Sequence, residues 1–201
     1  PEFDGKVVKQ YDFQSHVDDG NPKTSDEKHG TSCAGVATAA GIGASGSAPG
    51  CSLIAVHTPD YLGVADEAAM FHQMAELDYD ADVISCSWGP ADGTGENDPL
   101  PDSTRCAIKY CLTNGRTRNG TALGIPIFWA AGNGDESVML DGYASNPDVI
   151  AVAASTSAEK KAWYSDHGAA VWIRAPSSGD ASAGEKRIFT TARRGGEGYN
   201  P

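Results

Sequence analysis

The sequence predicts a three-layer α/β fold, with a mostly parallel sheet and helices on both of its faces. Three observations support this prediction. Short apolar segments alternate along the chain with segments that have helical spacing. No internal repeat or heptad pattern interrupts this alternation. The chain has 201 residues, 40% of them hydrophobic, which is enough to build the core of one such domain.

Five strands and three helices are expected in turn along the chain. The alternating or continuously apolar segments are the predicted strands, at residues 6–13, 51–58, 82–89, 125–133 and 148–155. The segments with small or apolar residues at helical spacing are the predicted helices, from His29 over HGTSCAGVATAA, at 66–77 with Asp66 as N-cap, and at 103–114. Residues 14–28 are predicted to form a polar loop, and residues 41–50 a turn region.

The charge balance restricts the partners of this chain. It has 27 acidic and 15 basic residues, and its net charge is −12. This charge argues against nucleic acid as the main partner, because phosphate binding needs the opposite sign. The composition favours a secreted or extracytoplasmic protein, or one that acts on cationic substrates. No apolar run reaches the roughly 18 residues of a membrane span.

The five cysteines are an odd number, so at least one thiol is left outside any disulfide within the chain. Cys33 and Cys86 lie among small and apolar residues and are predicted to be buried thiols. Cys106 and Cys111 are close in sequence, but their helical spacing does not favour a bridge. The cysteines therefore do not indicate whether the protein works in an oxidising or a reducing compartment.

Three motifs coincide with the ends of predicted elements. HGTSCAG opens the helix at His29, SWGPADG follows the strand through Ile84, and AAGNGDES follows the strand through Trp129. In parallel sheets the ligand crevice lies at the carboxyl ends of the strands. The amide of Asn133, just past a buried strand, is placed to donate to a developing negative charge.

The order of these motifs resembles that of the subtilisin-like serine proteases. SCSWGPADG, GNG followed by DGY, and WYSDHG are similar to the kexin and furin branch or its bacterial relatives. The resemblance extends from PEF at the start of the chain to FTTA at 189–192. It implies a subtilisin-like fold, serine endopeptidase activity and a monomer, with residues 1–201 forming part of a catalytic domain.

The resemblance also implies roles for five residues. His29 would be the general base that takes a proton from a serine hydroxyl and returns it to the leaving amine. Asn133 would donate to the oxyanion. The backbone of Ser87, Trp88 and Gly89 would pair with an extended peptide substrate, as an added strand does.

Two members of the family's catalytic triad are not found among these residues. VDDG at 17–20 is similar to the aspartate motif, but it lies too close to His29 and follows a strand instead of ending a buried one. The only GTS, at 30–32, lies beside the histidine. We expect the aspartate before Pro1 and the serine after Pro201, so that this chain alone should not hydrolyse peptides.

The kexin and furin branch cleaves after basic residues, and its pocket acids have matches here. Asp92 and Asp141 match the acids that face the first substrate side chain, and Asp26 matches one that faces the second. A desolvated arginine needs carboxylate partners, so cleavage after Arg or Lys is expected. No acid for the fourth pocket is evident. In the alternative, a broad apolar preference, Asp92 and Asp141 would be calcium or surface acids.

A structural Ca²⁺ is implied by the same resemblance. Its matching ligands are Asp92, then Asp135 or Glu136, then Asp166. Calcium takes six to eight oxygen ligands, which these carboxylates and nearby carbonyls could supply. The loop at 41–50 is too compact for the second calcium site of the family.

Two further interpretations remain open. One is a peptide-binding pseudoprotease on the same fold. The other is a nucleotide-binding domain, because GIGASG at 41–46 satisfies the pattern G-x-G-x-x-G. That pattern should follow a strand and open a helix, whereas here it follows a helix and precedes a strand, which predicts a turn. NGT at 119–121 is a glycosylation sequon, meaningful only in a eukaryotic secretory chain.

Overall fold

The structure, a computed structural model, describes residues 1–58, 62–194 and 198. The chain divides into two compact units. The first comprises Pro1–Leu62 with Phe189–Pro201, and the second comprises Gly63–Ile188. Parallel strands and helices occur in both units, so the predicted α/β class is confirmed. Among the described residues, no helix combines the length and hydrophobicity needed to cross a bilayer.

The described residues of the first unit form a parallel pair of strands and one helix. Its elements in order are β1 (Val7–Asp12), α1 (His29–Thr38) and β2 (Leu53–His57). β1 and β2 pair in parallel, with Asp12 opposite His57 at their carboxyl ends. Gly35 of α1 packs against Thr190 and Thr191, because a Cβ at Gly35 would lie 2.1 Å from the Thr191 Oγ1 atom. The small residues after His29 therefore allow α1 to pack closely against the segment that contains Thr190 and Thr191.

The second unit is built around a four-stranded parallel sheet. Its elements are α2 (Val64–Ala75), β3 (Ile84–Cys86), α3 (Asp102–Asn114), β4 (Thr117–Arg118), β5 (Thr121–Ala122), β6 (Ile127–Ala130), β7 (Ile150–Ser155) and β8 (Val171–Pro176). The sheet order is β3-β6-β7-β8, and β4 and β5 form a separate antiparallel pair. Phe71 of α2, Ile108 of α3 and Trp129 of β6 are fully buried and belong to its core. The carboxyl ends of the four sheet strands meet at one edge.

Several element boundaries differ from the predictions. α2 begins at Val64 with Gly63 as N-cap, so that Asp66 lies in the first turn and does not cap the helix. The helix ends at Ala75, and Leu77, predicted on its apolar face, is 75% exposed. β3 ends at Cys86, which leaves residues 87–89 outside the strand. Strands β4, β5 and β8 carry no strand pattern that was recognised in the sequence.

The cysteines differ in burial. Cys86 is buried as predicted, but Cys33 is half-buried and contacts a histidine ring. The prediction of a buried Cys33 was wrong, because Cys33 lies one turn from the exposed His29 on the same face of α1. No disulfide joins the five cysteines, all of which lie in the described part of the chain.

Candidate active site

His29 is the first residue of α1, and its side chain is exposed. One turn further along the helix, the Cys33 Sγ atom lies 3.5 Å from the His29 Nε2 atom. Residues four apart on a helix share a face, which explains the contact. The hydrogen bond to the Cys33 sulfur raises the pKa of His29, although partial burial opposes this change. The ring is thus accessible to solvent.

A second histidine of the first unit is bonded to carboxylates. The His57 Nδ1 and Nε2 atoms each lie 3.0 Å from a carboxylate oxygen, of Asp12 and Glu27 respectively. Burial tends to lower the pKa of His57, but the two carboxylates outweigh it and the pKa is raised. Because both ring nitrogens are occupied, His57 is unsuited to take a proton from a substrate group. We infer that His57 is a structural residue.

Residues 87–89, which we call the SWG segment, continue from the carboxyl end of β3. The Trp129 Nε1 atom donates a hydrogen bond of 2.7 Å to the carbonyl of Trp88. The ring of Trp88 lies edge-on to Trp129, with centroids 4.7 Å apart. Outside the β3–β6 ladder, the described residues make no backbone–backbone hydrogen bond with the SWG segment. Its main chain is held from one side and is available on the other.

A cleft of about 380 Å³ opens at the carboxyl ends of β3, β6 and β7. Ser87 and Asn133 both line it, together with Gly132 and the ring of Tyr164. The structure therefore brings the SWG segment and the predicted oxyanion donor to one cavity. The position agrees with the rule that ligands bind beyond the carboxyl ends of parallel strands.

The amide of Asn133 has an acidic neighbour. Its Nδ2 atom donates to the Asp92 Oδ2 atom at 3.3 Å, and its side chain is exposed. This hydrogen bond fixes the orientation of the amide, since only the NH₂ group can donate to a carboxylate. Asn133 is thus oriented by the loop that carries Asp92.

Three carboxylates form an acidic cluster, which consists of Asp92, Glu136 and Asp166. One oxygen from each lies within 4.8 Å of the others. The backbone N–H groups of Gly93 and Gly95 donate to Glu136 at 2.7 and 2.9 Å. Burial raises the pKa of Asp166, and the charges of Asp92 and Glu136 add to this effect. A bound cation would relieve this repulsion.

Gly132 leaves the space in which the acidic cluster assembles. It has a φ of +114°, and a Cβ there would lie 2.3 Å from Asp166 Oδ2 and 2.8 Å from Asp92 Oδ1. The glycine therefore lets two carboxylates face one small volume. Hard oxygen donors around such a volume fit Ca²⁺, which prefers carboxylate ligands.

Of the two alternatives for the middle ligand, the structure places Glu136 in the acidic cluster. The neighbouring Asp135 is exposed, and its carboxylate pairs with Lys161. Lys161 also lowers the pKa of Asp135. The structure thus brings together Asp92, Glu136 and Asp166, and it does not bring Asp135 to them.

Asp141 is a buried acid beside the SWG segment, and its side chain is 7% exposed. Its Oδ1 atom accepts hydrogen bonds from the backbone N–H groups of Tyr143 and Ala144, at 2.7 and 3.2 Å. A Cβ at Gly89 would lie 3.3 Å from the Asp141 Oδ2 atom. Burial raises the pKa of Asp141 to about 6, although the two N–H donors oppose this. A cationic side chain bound beside Gly89 would find an unneutralised acid there.

Asp26 belongs to the first unit and is exposed in the loop before α1. Its backbone carbonyl accepts a hydrogen bond from Lys28 N at 2.9 Å. Its predicted role in binding substrate stays a prediction.

The glycine-rich segment at 41–46 is a turn with its N–H groups already occupied. The carboxylate of Glu2 accepts hydrogen bonds from four successive backbone N–H groups, those of Gly41, Ile42, Gly43 and Ala44. These bonds, that of Gly43 foremost, lower the pKa of Glu2 to about 2. A nucleotide phosphate would need the same donors, so the nucleotide-binding interpretation is disfavoured.

Comparison with known sequences identifies the family. The sequence model of the subtilase family matches residues 2–199. The chain belongs to the subtilase family. This subtilase chain is 45% identical over 206 residues to the calcium-dependent protease of Trichormus variabilis, covering 98% of this chain and 30% of that protein. It is 34% identical over 177 residues to the dibasic-processing endoprotease of Schizosaccharomyces pombe, covering 84% of this chain and 24% of that protein.

Solved structures show the same fold. A cold-adapted subtilisin-like serine proteinase superposes with a TM-score of 0.66 at 22% identity, over 95% of this chain and 63% of that one. This likeness confirms the predicted subtilisin-like fold. The subtilase chain spans about a third of the length of the calcium-dependent proteases to which it is similar.

Three residues that organise the site of this subtilase had no role predicted from the sequence. Trp129 binds the SWG segment through its indole N–H, and Tyr143 packs on both tryptophans. Glu67 accepts a hydrogen bond from the Tyr143 hydroxyl. The DGY motif contained Tyr143, but only its aspartate had a recognised role, and Glu67 had no sequence signal beyond its place on an amphipathic helix.

Proposed function

We propose that this chain is the central part of the catalytic domain of a secreted, monomeric serine endopeptidase. The observation that carries the proposal is the cleft at the carboxyl ends of β3 and β6, which Ser87 and Asn133 line together. The subtilase match over residues 2–199 supports the reaction class. Within it, His29 acts as general base and then as general acid, and Asn133 donates to the oxyanion.

The SWG segment binds the substrate main chain. In an extended segment, neighbouring backbone groups point to opposite sides. Because the carbonyl of Trp88 is bonded to Trp129, the carbonyls of Ser87 and Gly89 are left to pair with an added strand. This arrangement supports an endopeptidase, since a strand that runs past the segment continues on both sides of the cleft.

The acids near Gly89 favour cleavage after Arg or Lys. Asp141 is buried, has one carboxylate oxygen turned towards Gly89, and carries a raised pKa. An arginine that enters beside it would favour the ionised carboxylate and form a charge-assisted hydrogen bond. Asp92 contributes charge at the same place, and Asp26 faces the second substrate side chain. The yeast relative, named a dibasic-processing endoprotease, supports this preference.

Ca²⁺ is proposed at the acidic cluster of Asp92, Glu136 and Asp166. The ion would supply charge neutralisation and would fix the loop that orients Asn133 through Asp92. The relatives named calcium-dependent proteases support this proposal. The role of the ion is structural, because the cluster donates no group to the reaction.

The test uses the full-length protein, assayed with matched peptides that carry arginine or leucine before the scissile bond. We expect H29A to lower kcat by at least about 10⁴-fold, because a general base is lost. The matched control H72A, on the exposed surface of α2, should retain activity. We expect D141N to lower kcat/KM for the arginyl peptide by about 10–100-fold and to leave the leucyl peptide unchanged.

Other results would redirect the proposal. If the wild-type protein binds peptides but cleaves none, the peptide-binding pseudoprotease replaces the enzyme. If the leucyl peptide is the better substrate and D141N affects both equally, the preference is apolar. The 201 residues assayed alone should be inactive, since the motif that carries the serine nucleophile is not among them.

A further inference from the structure

Glu67 is a buried carboxyl group that the proposed mechanism does not use. It lies on α2, its side chain is 5% exposed, and it is not a member of the acidic cluster. Its Oε2 atom accepts a hydrogen bond of 3.2 Å from the Tyr143 hydroxyl. Its Oε1 atom is buried and has no hydrogen-bond partner among the described residues. Burial raises the pKa of this carboxyl group, and the buried Thr104 hydroxyl of α3 also acts on it, in the opposite direction. A carboxyl group is costly to bury, so these polar neighbours are informative.

Tyr143 connects this carboxyl group to the SWG segment. Its ring lies 5.6 Å from the ring of Trp88, edge-on, and 5.2 Å from the ring of Trp129. Trp88 and Trp129 also contact each other, and Trp129 holds the Trp88 carbonyl. These three rings form one cluster, which we call the aromatic triad. Any rotation of Tyr143 would change the packing of Trp88, which belongs to the SWG segment itself.

Burial shifts the pKa values of both members of this pair. Burial raises the pKa of Glu67, and burial, followed by the proximity of Glu67, raises the pKa of Tyr143. A carboxyl group can accept a hydrogen bond from the Tyr143 hydroxyl in either protonation state. Glutamine presents the same oxygen, so it should replace Glu67 without loss of this bond, whereas alanine and methionine cannot accept it.

We propose that Glu67 is a positioning residue for the peptidase reaction. By accepting a hydrogen bond from the Tyr143 hydroxyl, Glu67 fixes the aromatic triad. The triad in turn fixes the SWG segment in the conformation that pairs with an extended substrate. The inference rests on the proposed function, because it assigns the SWG segment to the substrate main chain. Its effect is confined to substrates that extend along the segment.

The first test compares two substrates of the full-length protein, a tetrapeptide amide and a single-residue arginine ester. The ester does not extend along the SWG segment. We expect Y143F and E67A to raise KM for the tetrapeptide about tenfold, the equivalent of one lost hydrogen bond, with kcat nearly unchanged. The ester kinetics should stay within about twofold of wild type, as should both substrates with E67Q.

The matched control is Y110F, because the half-buried Tyr110 of α3 also donates a hydrogen bond to a glutamate, Glu76, whereas its ring packs on His72 and not on the aromatic triad. Y110F should leave both substrates unchanged. An equal loss on ester and tetrapeptide, or a failure of E67Q to match wild type, would show that Glu67 is needed only for folding and would overturn the inference. Unchanged tetrapeptide kinetics in Y143F would overturn it as well.

A second measurement needs no activity. Hydrogen exchange in the full-length protein should be faster at the hydrogen-bonded amides of the β3–β6 ladder, from which the SWG segment continues, by about tenfold in Y143F, and unchanged in E67Q. If exchange changes in this way while the wild type cleaves neither substrate, the proposed function fails and the positioning network stands as a structural one. If exchange at these amides is unchanged in Y143F, the network itself is refuted.

Discussion

His57 is a buried imidazole held between two carboxylates, those of Asp12 and Glu27. Its raised pKa means that the folded chain binds its proton more tightly than the unfolded chain does. The resulting stability is fully present below the ordinary pKa of 6.5 and is lost as pH rises through the raised value. The lowered pKa values of Asp12 and Glu27 act in the opposite direction, below their ordinary values of 3.8 and 4.5. The network therefore stabilises most between about pH 4.5 and 6.5.

We predict that H57Q lowers the free energy of unfolding of the full-length protein by about 2 kcal/mol at pH 5.5, and by less at pH 9. The wild type should lose stability between these pH values, and H57Q should lose less. Urea unfolding across this range measures both. H72Q, on the exposed surface of α2, is the control. A pH dependence that is the same in H57Q and wild type would show that His57 is not protonated in the folded state.

Helix α1 depends on one glycine for its packing. A Cβ at Gly35 would lie 2.1 Å from Thr191 Oγ1 and 2.8 Å from the Thr191 backbone nitrogen. The Thr190 and Thr191 hydroxyls in turn donate to the carbonyls of Ser32 and Thr31, at 2.8 and 2.7 Å. A backbone atom cannot move aside as a flexible side chain can, so the helix would have to shift.

We predict that G35A destabilises the full-length protein by about 1–3 kcal/mol through overpacking, measured by thermal or urea unfolding. The control is G30A in the same helix, where a Cβ meets no atom within 4 Å. Alanine there should be neutral or slightly stabilising, because it has the better helix propensity. If both variants behave alike, the close approach at Gly35 is not what limits this position.

The sequence predicted which elements exist better than it predicted their limits. On α2, Met70 and Met74 are buried as the helical spacing indicated, but Glu67 is buried beside them. Periodicity cannot identify a buried acid, because its partner, Tyr143, is far away in sequence. β8 was missed since five of its six residues are exposed, which removes the apolar signal of a covered strand.

In the candidate site, too, the sequence left a choice between residues that only the structure resolves. The resemblance left Asp135 and Glu136 as equal candidates for the acidic cluster. Only the fold separates them, because Asp135 has a φ of +53° and pairs with Lys161, while Glu136 accepts the N–H groups of Gly93 and Gly95. Side-chain direction at a turn depends on backbone conformation, which the residue types alone do not fix.

For the molecule as a whole, binding of Ca²⁺ to the folded form alone would shift the unfolding equilibrium. Ligand at 100 times its Kd stabilises by about 2.7 kcal/mol. We predict that Ca²⁺ raises the Tm of the full-length protein and that EDTA reverses this. G132A should abolish the shift, because its Cβ would occupy the space between Asp92 and Asp166.

The control for that experiment is G120A. Gly120 also has a positive φ, of +76°, but a Cβ there meets no atom within 4 Å. G120A therefore also places an alanine at a positive φ, but without touching the acidic cluster, and it should keep the calcium-dependent rise in Tm. A rise that persists in G132A would mean that the ion binds elsewhere.

Glu2 and the turn at 41–44 are joined across 39 residues of sequence by four hydrogen bonds to one carboxylate. Neither partner is useful without the other, since the turn would keep four unsatisfied N–H groups and Glu2 an unsatisfied charge. Among related sequences, the length of this turn and the acid at position 2 should therefore covary. Chains with an insertion in the turn should be released from the requirement for glutamate at position 2.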